Sequence, residues 1–427
     1  MHIVFVHRHG PGQFVHLARR LISDGWTATL ICESMDRPVP GLRVFRYGDK
    51  PGGQGRSGEI SGKGSVPYIV AGRRVADILN KLSLNGRKPD LVMGHIGWGG
   101  MLFVKDALPD VPAIGYCEYY FQPQGGDLGF APTEEVSLHH RQTVRLRNTV
   151  QLATLDQIDI GISPTAWQKS RFPQEFQSKI VVQHEGIDTS RARPDSVASF
   201  RLPNGRLLTA GDPVVTFAAR SLEPYRGFPQ FVKAAALVAT QIPEAQFVIA
   251  GGDGVSYGRQ TGNASELRDR LVAETGLPQD RAHFLGQVPH QDLVKLFQVS
   301  AAHVYLTYPF VLSWSFLEAM ACEAPIIASN TAPVQEVIRH KRNGTLVDFW
   351  DTNALADEVC AALSDPKSRF DMRRAARRTV VDRFELSGCT LRLQSMLQKV
   401  SSLRARMSAP AKNSKQMRQP ILERGHA

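Results

Sequence analysis

The sequence predicts an α/β fold in which two domains, each built on a parallel β-sheet, follow one another along the chain. Short apolar strands alternate with amphipathic helices over most of the sequence. A chain of 427 residues is too long for one ordinary hydrophobic core, and 42% hydrophobic residues can fill two. Between residues 189 and 212 the alternation stops in a segment rich in Arg, Pro, Ser and Gly, which is typical of a linker.

The same alternation sets the predicted domain boundaries. We expect a first domain at residues 1–188, the linker at residues 189–212, a second domain at residues 213–385 and a terminal helix at residues 386–400. Residues 401–427 contain six lysines and arginines, one glutamate and no apolar period, so a disordered tail is predicted. Such a tail either attracts an anionic membrane weakly or only aids solubility, and the sequence leaves both open.

Composition predicts a cytoplasmic protein with anionic partners. The five cysteines are scattered, with no CxxC pair and no histidine at zinc-ligand spacing, so reduced thiols and no metal site are predicted. The apolar stretch at the amino terminus is too short for a signal-peptide core. No run in the sequence approaches the roughly 18 apolar residues of a membrane helix. The net charge of +11 favours nucleotide phosphates or lipid headgroups, which leaves open a peripheral contact with the inner face of a membrane. No nucleic-acid partner is predicted.

A glycine turn at Gly10 and Gly12 follows the first strand and precedes a helix and a second strand. This order within about 30 residues is a βαβ unit of a parallel sheet. Pro11 separates the glycines and the GxGxxG pattern is missing, so NAD binding is a weak interpretation. What remains is a glycine loop at the carboxyl end of a strand, where open α/β sheets bind ligands.

Other segments of the first domain carry candidate substrate-binding groups. His95 lies between glycines after the strand at residues 90–93, so it is a candidate catalytic residue, and the alternative is a histidine that caps the next helix. Glu118 follows the next strand beside three aromatic residues, which suits sugar stacking or a packed loop equally. Residues 50–65 contain six glycines and are predicted to form a mobile loop, either an acceptor lid or an insertion.

Two arginines follow the first strand of the second domain. Arg220 and Arg226 lie six residues apart around a turn, ahead of a helix. Guanidinium groups at the carboxyl end of a strand suit a pyrophosphate, because their charge and forked donors match its oxygens. The alternative is a pair of ordinary surface arginines.

The segment at residues 305–329 reads as a strand, a polar and aromatic loop, a short helix and a second strand. Glu318 lies inside the apolar helix, where an unpaired charge would cost several kcal/mol, so the fold must solvate it or give it a ligand. The first turn of the helix, near Ser313, has free N–H groups and a positive dipole end that suit phosphate. A phosphate site and a diol site within one helix length predict a nucleotide.

The order of these motifs resembles a known family. The retaining glycosyltransferases of family four contain, in this order, R-x-x-x-x-K-G, a glycine turn after the next strand, F-L-G-x-V, and E-x7-E followed by A-M-A-C-G-x-P. The similar segments in this chain are residues 220–227, 251–254, 284–288 and 318–325. The first domain is compatible with the family through its glycine turn and its strand-end histidine.

The resemblance implies a GT-B fold, with two Rossmann-like domains facing each other across a cleft and the C-terminal helix crossing back to the first domain. It implies that Arg220 and Arg226 hold the diphosphate and stabilise the leaving group. Arg226 stands where most members of the family have lysine. It further implies that Glu318 binds the ribose hydroxyls and that His95 contacts the transferred sugar. The other implied donor-binding residues are Gly10, Gly12, Gly252, Gln287, Val288, Leu312, Ser313 and Trp314.

The chain departs from the family pattern at two positions. Phe310 stands eight positions before Glu318, where the first glutamate is expected, and Glu323 replaces a glycine. In many members the missing acid touches hydroxyls of the donor sugar, so specificity is expected in the loop at residues 308–314. An altered donor preference of Phe310→Glu would place residue 310 at the sugar. No Asp-x-Asp is present, which implies a metal-independent reaction in which arginines replace the metal's charge.

The predicted function is transfer of a sugar from a UDP- or GDP-linked donor to a hydroxyl acceptor, with retention of configuration and no cofactor. The acceptor would be a glycan, a lipid-linked glycan or a small molecule, which places the chain in polysaccharide or glycoconjugate biosynthesis. One alternative is a catalytically weak or inactive GT-B protein that binds a nucleotide sugar, as Phe310 suggests. Another is a GT-B nucleotide-sugar epimerase, which would act without an acceptor.

Overall fold

The computed structural model describes residues 1–35, 37–48, 65–254, 256 and 264–408. Over these residues the first domain contains a seven-stranded sheet with helices on both faces. Its strands are β1 (His2–Gly10), β2 (Thr27–Met35), β3 (Arg43–Arg46), β4 (Leu91–His95), β5 (Ala113–Tyr116), β6 (Ile160–Ser163) and β7 (Ile180–Val182). Its helices are α1 (Val15–Ser23), α2 (Val66–Leu84), α3 (Val104–Ala107), α4 (Leu138–Gln157), α5 (Ala166–Ser170) and α6 (Gln174–Gln177).

The strands of the first sheet are all parallel, in the order β3-β2-β1-β4-β5-β6-β7. Strand β1 is central because its residues are apolar on both faces, as a parallel strand covered by two helix layers must be. It extends to Gly10, because it pairs with β2 as far as Met35. The chain first adds β2 and β3 on one side of β1 and then adds β4 and the later strands on the other side. The carboxyl ends of β1 and β4, on either side of this reversal, therefore flank a crevice.

The second domain repeats this architecture with six described parallel strands. The strands are β10 (Val214–Ser221), β11 (Gln246–Gly252), β12 (Ala282–Phe284), β13 (Ala302–Tyr305), β14 (Ile326–Ser329) and β15 (Thr345–Val347), in the order β12-β11-β10-β13-β14-β15. The helices are α7 (Phe228–Gln241), α8 (Ala264–Thr275), α9 (His290–Val299), α10 (Trp314–Ala321), α11 (Ala332–Gln335), α12 (Thr352–Ser364) and α13 (Phe370–Phe384). The reversal in this sheet lies between β10 and β13.

The segment predicted as a linker has structure of its own. Within residues 189–212, the strands β8 (Ser199–Arg201) and β9 (Leu207–Thr209) form an antiparallel hairpin. Leu202 and Leu208 are buried in the core of the second domain, so the prediction of a plain linker is wrong for this hairpin. The two hairpin strands lie among polar, proline and glycine residues, so the segment shows no apolar run that would predict them.

The chain crosses between the domains twice, and the crossings pair with each other. The Ile187 N–H donates to the Phe384 carbonyl over 2.7 Å, and the Leu386 N–H donates to the Ile187 carbonyl over 3.0 Å. After the second crossing, α14 (Leu386–Ser408) lies along α1, and its Leu393 and Leu397 are buried in the core of the first domain. The predicted return of the C-terminal helix is confirmed. The helix extends to Ser408, so the predicted disorder is wrong for residues 401–408, and residues 409–427 lie outside the described residues.

An aromatic contact joins the two domains on the cleft side. Tyr119 of the first domain packs against Phe310 with 4.6 Å between ring centroids, and its hydroxyl donates to the Pro309 carbonyl over 3.3 Å. We call the rings around this contact the interdomain cluster. Its members are Tyr119, Phe121, Phe130, Trp167, Tyr225, Tyr308, Phe310, Phe349 and Trp350.

A carboxylate adds a polar bridge between the domains. Glu336 accepts hydrogen bonds from the Ala166 and Trp167 N–H groups over 2.8 and 2.7 Å. These N–H groups belong to the first turn of α5, where a negative charge is favourable. The second domain therefore caps a helix of the first.

Candidate functional site

The predicted donor-binding residues of the second domain converge at the reversal point of its sheet. Arg220 lies at the end of β10, Gly252 at the end of β11, and the loop before α10 follows β13. These three strands are neighbours with parallel direction, so their carboxyl ends meet at one edge. Open α/β sheets place ligands at this kind of position, outside the strand ends beside the reversal.

The two arginines at this edge have different environments. The Arg220 side chain is exposed and makes no hydrogen bond or ion pair to the described residues. Arg226 is buried and donates to the Thr307 hydroxyl over 2.7 Å and to the Val311 carbonyl over 3.2 Å. Arg226 therefore orders the loop before α10, while its predicted contact with a diphosphate stays a prediction. Five residues separate the two arginines, one more than in the family pattern. The turn between them ends in a 3₁₀ helix at Pro224–Arg226.

Phe310 lies inside the interdomain cluster. It is 6% exposed, and besides Tyr119 it contacts Tyr225 at 5.2 Å and the Arg226 guanidinium at 5.7 Å. The position where the family has a sugar-binding acid is thus filled by a packed ring. The sequence identified the departure but not its packing role, because the partner Tyr119 is 191 positions away.

Glu318 has a protein partner that sequence reasoning missed. His290, at the start of α9, lies with its Nε2 atom 2.7 Å from Glu318 Oε1. The hydrogen bond to Glu318 raises the pKa of His290 above its ordinary value. The expectation that Glu318 needs either solvent or a ligand was therefore incomplete, because an imidazole 28 positions earlier satisfies one carboxylate oxygen. The ribose role of Glu318 stays a prediction.

The remaining predicted donor-binding residues line the same edge. Gln287 lies with its side chain against Gly252, where an added Cβ would meet the amide nitrogen at 3.1 Å. Val288 and Leu312 are half-buried. The Ser313 N–H donates to the Tyr305 hydroxyl over 3.1 Å, and Ser313 is the N-cap residue of α10 without a side-chain cap. Leu312, Ser313 and Trp314 therefore lie at the start of α10, and their contact with a phosphate stays a prediction.

Contacts within the first domain explain the glycines at positions 10 and 12. A side chain at Gly10 would meet Leu30 at 2.6 Å, within the packing of β1 on α1 and β2. Gly12 has a φ of +53°, and an added Cβ would lie 2.5 Å from the His7 ring. Gly12 is favoured by its positive φ and both glycines lie close to neighbouring side chains, so the sequence signal does not need a ligand to explain it. Their predicted approach to the donor or acceptor stays a prediction.

His95 is held at both ring nitrogens. Its Nδ1 accepts the Gly97 N–H over 3.0 Å, as the N-cap of the 3₁₀ helix Ile96–Trp98, and its Nε2 lies 3.1 Å from Glu118 Oε2. Since Nδ1 is an acceptor, the ring proton is on Nε2 and points at Glu118. The capping alternative that the sequence left open is thus observed, and the catalytic role of His95 stays a prediction that would require breaking one of these bonds.

The domains meet beside the start of α10. His16 of α1 lies 5.9 Å, ring to ring, from Trp314 of the second domain. Burial lowers the pKa of His16, and the nearby Glu318 opposes that effect. His16 is a cleft residue that the sequence did not single out, because a lone histidine on a helix gives no signal. Residues 50–64, predicted as a lid, lie outside the described residues.

A buried carboxyl group at the domain crossing makes stability depend on pH. Glu185 is 5% exposed, and Tyr116 donates a hydrogen bond to its Oε1. Burial raises the pKa of Glu185 to about 7. The neighbouring His184 does not supply a charge, because burial lowers the pKa of its ring to about 4. No cation compensates the ionised carboxylate among the described residues.

We expect Glu185→Gln to stabilise the protein at high pH. The raised pKa contributes stability that is complete below about pH 4.5 and is lost as the pH rises through about 7. The variant should gain about 2–3 kcal/mol in unfolding free energy relative to the parent between pH 5 and pH 8.5, measured by urea unfolding. Glu175→Gln, at an exposed position of the same domain, serves as the control. A difference independent of pH would contradict the assignment.

Two family models match the chain. A model described as glycosyl transferase family 4 group matches residues 24–192, and one described as glycosyl transferases group 1 matches residues 204–379. The chain belongs to the group 1, family 4 glycosyltransferases. The two matches together cover both described domains, so the family membership extends over the first domain, where the sequence motifs were sparse.

The family relatives with curated functions are distant. The chain is 24% identical over 255 residues to a GDP-mannose-dependent alpha-(1-6)-phosphatidylinositol monomannoside mannosyltransferase of Mycolicibacterium smegmatis, covering 56% of this chain and 62% of the relative. It is 29% identical over 209 residues to a D-inositol 3-phosphate glycosyltransferase of Nocardia farcinica, covering 48% and 43%. The chain thus spans about three fifths or less of the length of these relatives.

Solved structures share the fold. The chain is similar to sucrose-phosphate synthase of Thermosynechococcus elongatus, with a TM-score of 0.72, 21% identity and coverage of 94% of this chain and 100% of the other. It is similar to Anabaena HepE, solved in complex with UDP-glucose, with a TM-score of 0.67, 15% identity and coverage of 93% and 100%. These likenesses confirm the predicted two-domain GT-B architecture.

Proposed function

We propose that this protein transfers a sugar from a nucleoside diphosphate sugar to a hydroxyl acceptor, with retention of configuration and without a metal ion. The observation that carries the proposal is the convergence of Arg220, the start of α10 and Glu318 at the reversal point of the second sheet. Family membership and the GDP-mannose and UDP-glucose named for the similar proteins support a UDP- or GDP-linked donor.

Each group at this edge has a chemical task in the proposed reaction. Arg220 offers a charged fork to the diphosphate and stabilises the negative charge that develops on the leaving group. The N–H groups at the start of α10 bind phosphate oxygens, helped by the positive end of the helix dipole. Glu318 accepts hydrogen bonds from the ribose hydroxyls through the oxygen that His290 does not hold.

The cleft contributes by excluding water. Because the interdomain cluster and Glu336 bring the domains together, a donor bound between the sheet edges is shielded from hydrolysis. In the retaining reaction, the leaving phosphate helps to take the acceptor proton, so the proposal requires no protein nucleophile. Metal independence rests on the family resemblance and on the position of Arg220.

The test is a screen of nucleotide sugars by thermal shift, followed by measurement of nucleoside diphosphate release with candidate acceptors. A ligand that binds the folded state raises the unfolding temperature with its concentration, so the screen identifies the nucleotide first. Glu318→Ala should weaken binding of the free nucleoside diphosphate, because the ribose loses its carboxylate partner. The absence of binding by any nucleotide sugar would overturn the proposal.

Phe310 supports a second candidate, a GT-B protein that binds a nucleotide sugar without transferring it. A packed ring occupies the position where an acid is expected to touch the donor sugar. This candidate predicts the same thermal shifts and nucleotide affinity as the enzyme but no release of diphosphate with any acceptor. An epimerase would instead convert the donor sugar without an acceptor, and product analysis distinguishes it.

The acceptor in this proposal is lipid-linked, and the protein meets an anionic membrane surface through α4. The exposed face of this helix carries Leu138, Leu146 and Leu152, with 64%, 50% and 37% of each residue exposed. Arg141 and Arg145 lie on the same face, and the helix contains no acid before residue 156. Exposed leucines interleaved with arginines are typical of helices that lie on anionic lipid. No described helix is long and apolar enough to cross a bilayer.

Replacing Leu138, Leu146 and Leu152 together by serine should weaken binding to vesicles that contain anionic lipid by about tenfold or more. Co-sedimentation with anionic and with neutral vesicles measures the effect. The control is Val197→Ser with Leu391→Ser, which removes two exposed apolar side chains elsewhere. Equal binding of the triple variant and the parent would show that α4 is not the contact.

A further inference from the structure

A chain of hydrogen bonds at the cleft edge of the first domain ends on Glu118. The His7 ring accepts the His9 N–H at Nδ1 over 3.1 Å, so its proton is on Nε2, which lies 2.8 Å from Gln13 Oε1. The Gln13 amide in turn donates to Glu118 Oε1 over 2.6 Å, and His95 donates to Oε2 over 3.1 Å. Both donors converge on one carboxylate.

This carboxylate is rigid, charged and partly open. Gln168 donates to the Glu118 carbonyl over 2.6 Å and fixes its backbone. Burial would raise the pKa of Glu118, but the hydrogen bonds from His95 and Gln13 outweigh it and the pKa is lowered, so the group is ionised at neutral pH. A quarter of the side chain is exposed. Each carboxylate oxygen can accept two hydrogen bonds and accepts one from the residues that the structure describes, so the exposed side can accept more.

Glu118 directly precedes the residue that contacts the loop where the second domain lacks an acid. The next residue, Tyr119, contacts both Pro309 and Phe310 across the cleft. Gln13 belongs to the glycine turn, and His95 lies at the end of β4, so the carboxylate is flanked by the reversal point of the first sheet. A sugar hydroxyl between the sheet edges therefore has a carboxylate acceptor available on the first domain, at Glu118.

We propose that Glu118 accepts a hydrogen bond from a hydroxyl of the transferred sugar, and so supplies from the first domain the carboxylate that position 310 does not. The inference rests on the proposed donor, a nucleoside diphosphate sugar. The chemistry that recognises the sugar is a desolvated carboxylate beside two neutral donors, which favours a hydroxyl partner over an anion. A hydrogen bond to a charged acceptor at such a site favours binding of a sugar that carries the hydroxyl over one that lacks it by about 10- to 100-fold.

The test compares the intact donor with its free nucleoside diphosphate by calorimetry, using whichever of GDP-mannose, UDP-glucose and the other screened donors the parent binds. Glu118→Gln should lower the affinity for the intact donor by about 10- to 100-fold. It should leave the affinity for the free nucleoside diphosphate within about twofold of the parent value. With the monodeoxy forms of that donor, one form should bind parent and variant equally, because it lacks the hydroxyl that Glu118 holds.

Two further variants separate binding from structure. Gln13→Ala removes one support of the carboxylate but keeps its charge, so it should preserve the pattern among the deoxy forms. Glu118→Asp withdraws the charge by one methylene and should give an intermediate loss, which keeps the test available if Glu118→Gln does not fold. An equal loss for the intact donor, the free nucleotide and every deoxy form would overturn the role of Glu118. Failure of the parent to bind any nucleotide sugar would overturn the proposed function instead.

Discussion

Replacing Arg220 by alanine should lower kcat/KM for transfer by about 10²- to 10³-fold. Arg220 is an exposed guanidinium at the reversal point, and no described residue forms an ion pair with it, so its charge is available to the diphosphate. Removing one donor that stabilises developing negative charge typically costs this factor. Diphosphate release with the donor found in the screen measures the loss. Arg220→Lys should recover part of it, since lysine restores the charge but not the fork.

The matched control is Arg270→Ala, because Arg270 is an exposed arginine of the same domain whose neighbour is Glu274. It should leave kcat/KM unchanged, and both variants should keep the parent unfolding temperature, since neither side chain is buried. If Arg220→Ala stays within about threefold of the parent, Arg220 does not hold the leaving group. The buried Arg226 would then be the next basic residue at this edge to test.

Replacing Phe310 by alanine should cost about 3–5 kcal/mol of unfolding free energy. The ring is 6% exposed and contacts Tyr119 in one domain and Tyr225 in the other, so its removal opens a cavity at the domain contact. The Arg226 guanidinium also loses the ring over which it lies at 5.7 Å. Urea unfolding measures the loss, and proteolysis should become faster at the segment that follows Tyr119 as the contact weakens.

Phe370→Ala is the control, because the Phe370 ring is 54% exposed and its removal should cost less than about 1 kcal/mol. Phe310→Leu should cost less than Phe310→Ala, since it fills part of the space. A loss below about 1 kcal/mol for Phe310→Ala would contradict the packing role. The sequence suggested Phe310→Glu as a probe of donor preference in an open cleft. In the structure, the new carboxylate would instead lie among packed aromatic rings.

Local patterns were enough to predict the two parallel sheets, because strands buried on both faces and amphipathic helices differ in apolar period. The glycine turn and Arg220 lie at strand ends and Glu318 lies inside α10, as the same patterns predicted. The hairpin at residues 199–209 was missed, because its short strands lie among polar, proline and glycine residues and form no apolar run.

The sequence by itself determined the fold class, the family and the set of groups at the strand ends. Only the tertiary structure decided which of those groups are already engaged: His290 holds Glu318, Glu118 holds His95, and Tyr119 packs on Phe310. These partners lie between 23 and 191 positions apart, so no local pattern records them. Their contacts exist because parallel strands bring distant segments to one edge and because two such edges face each other across a cleft.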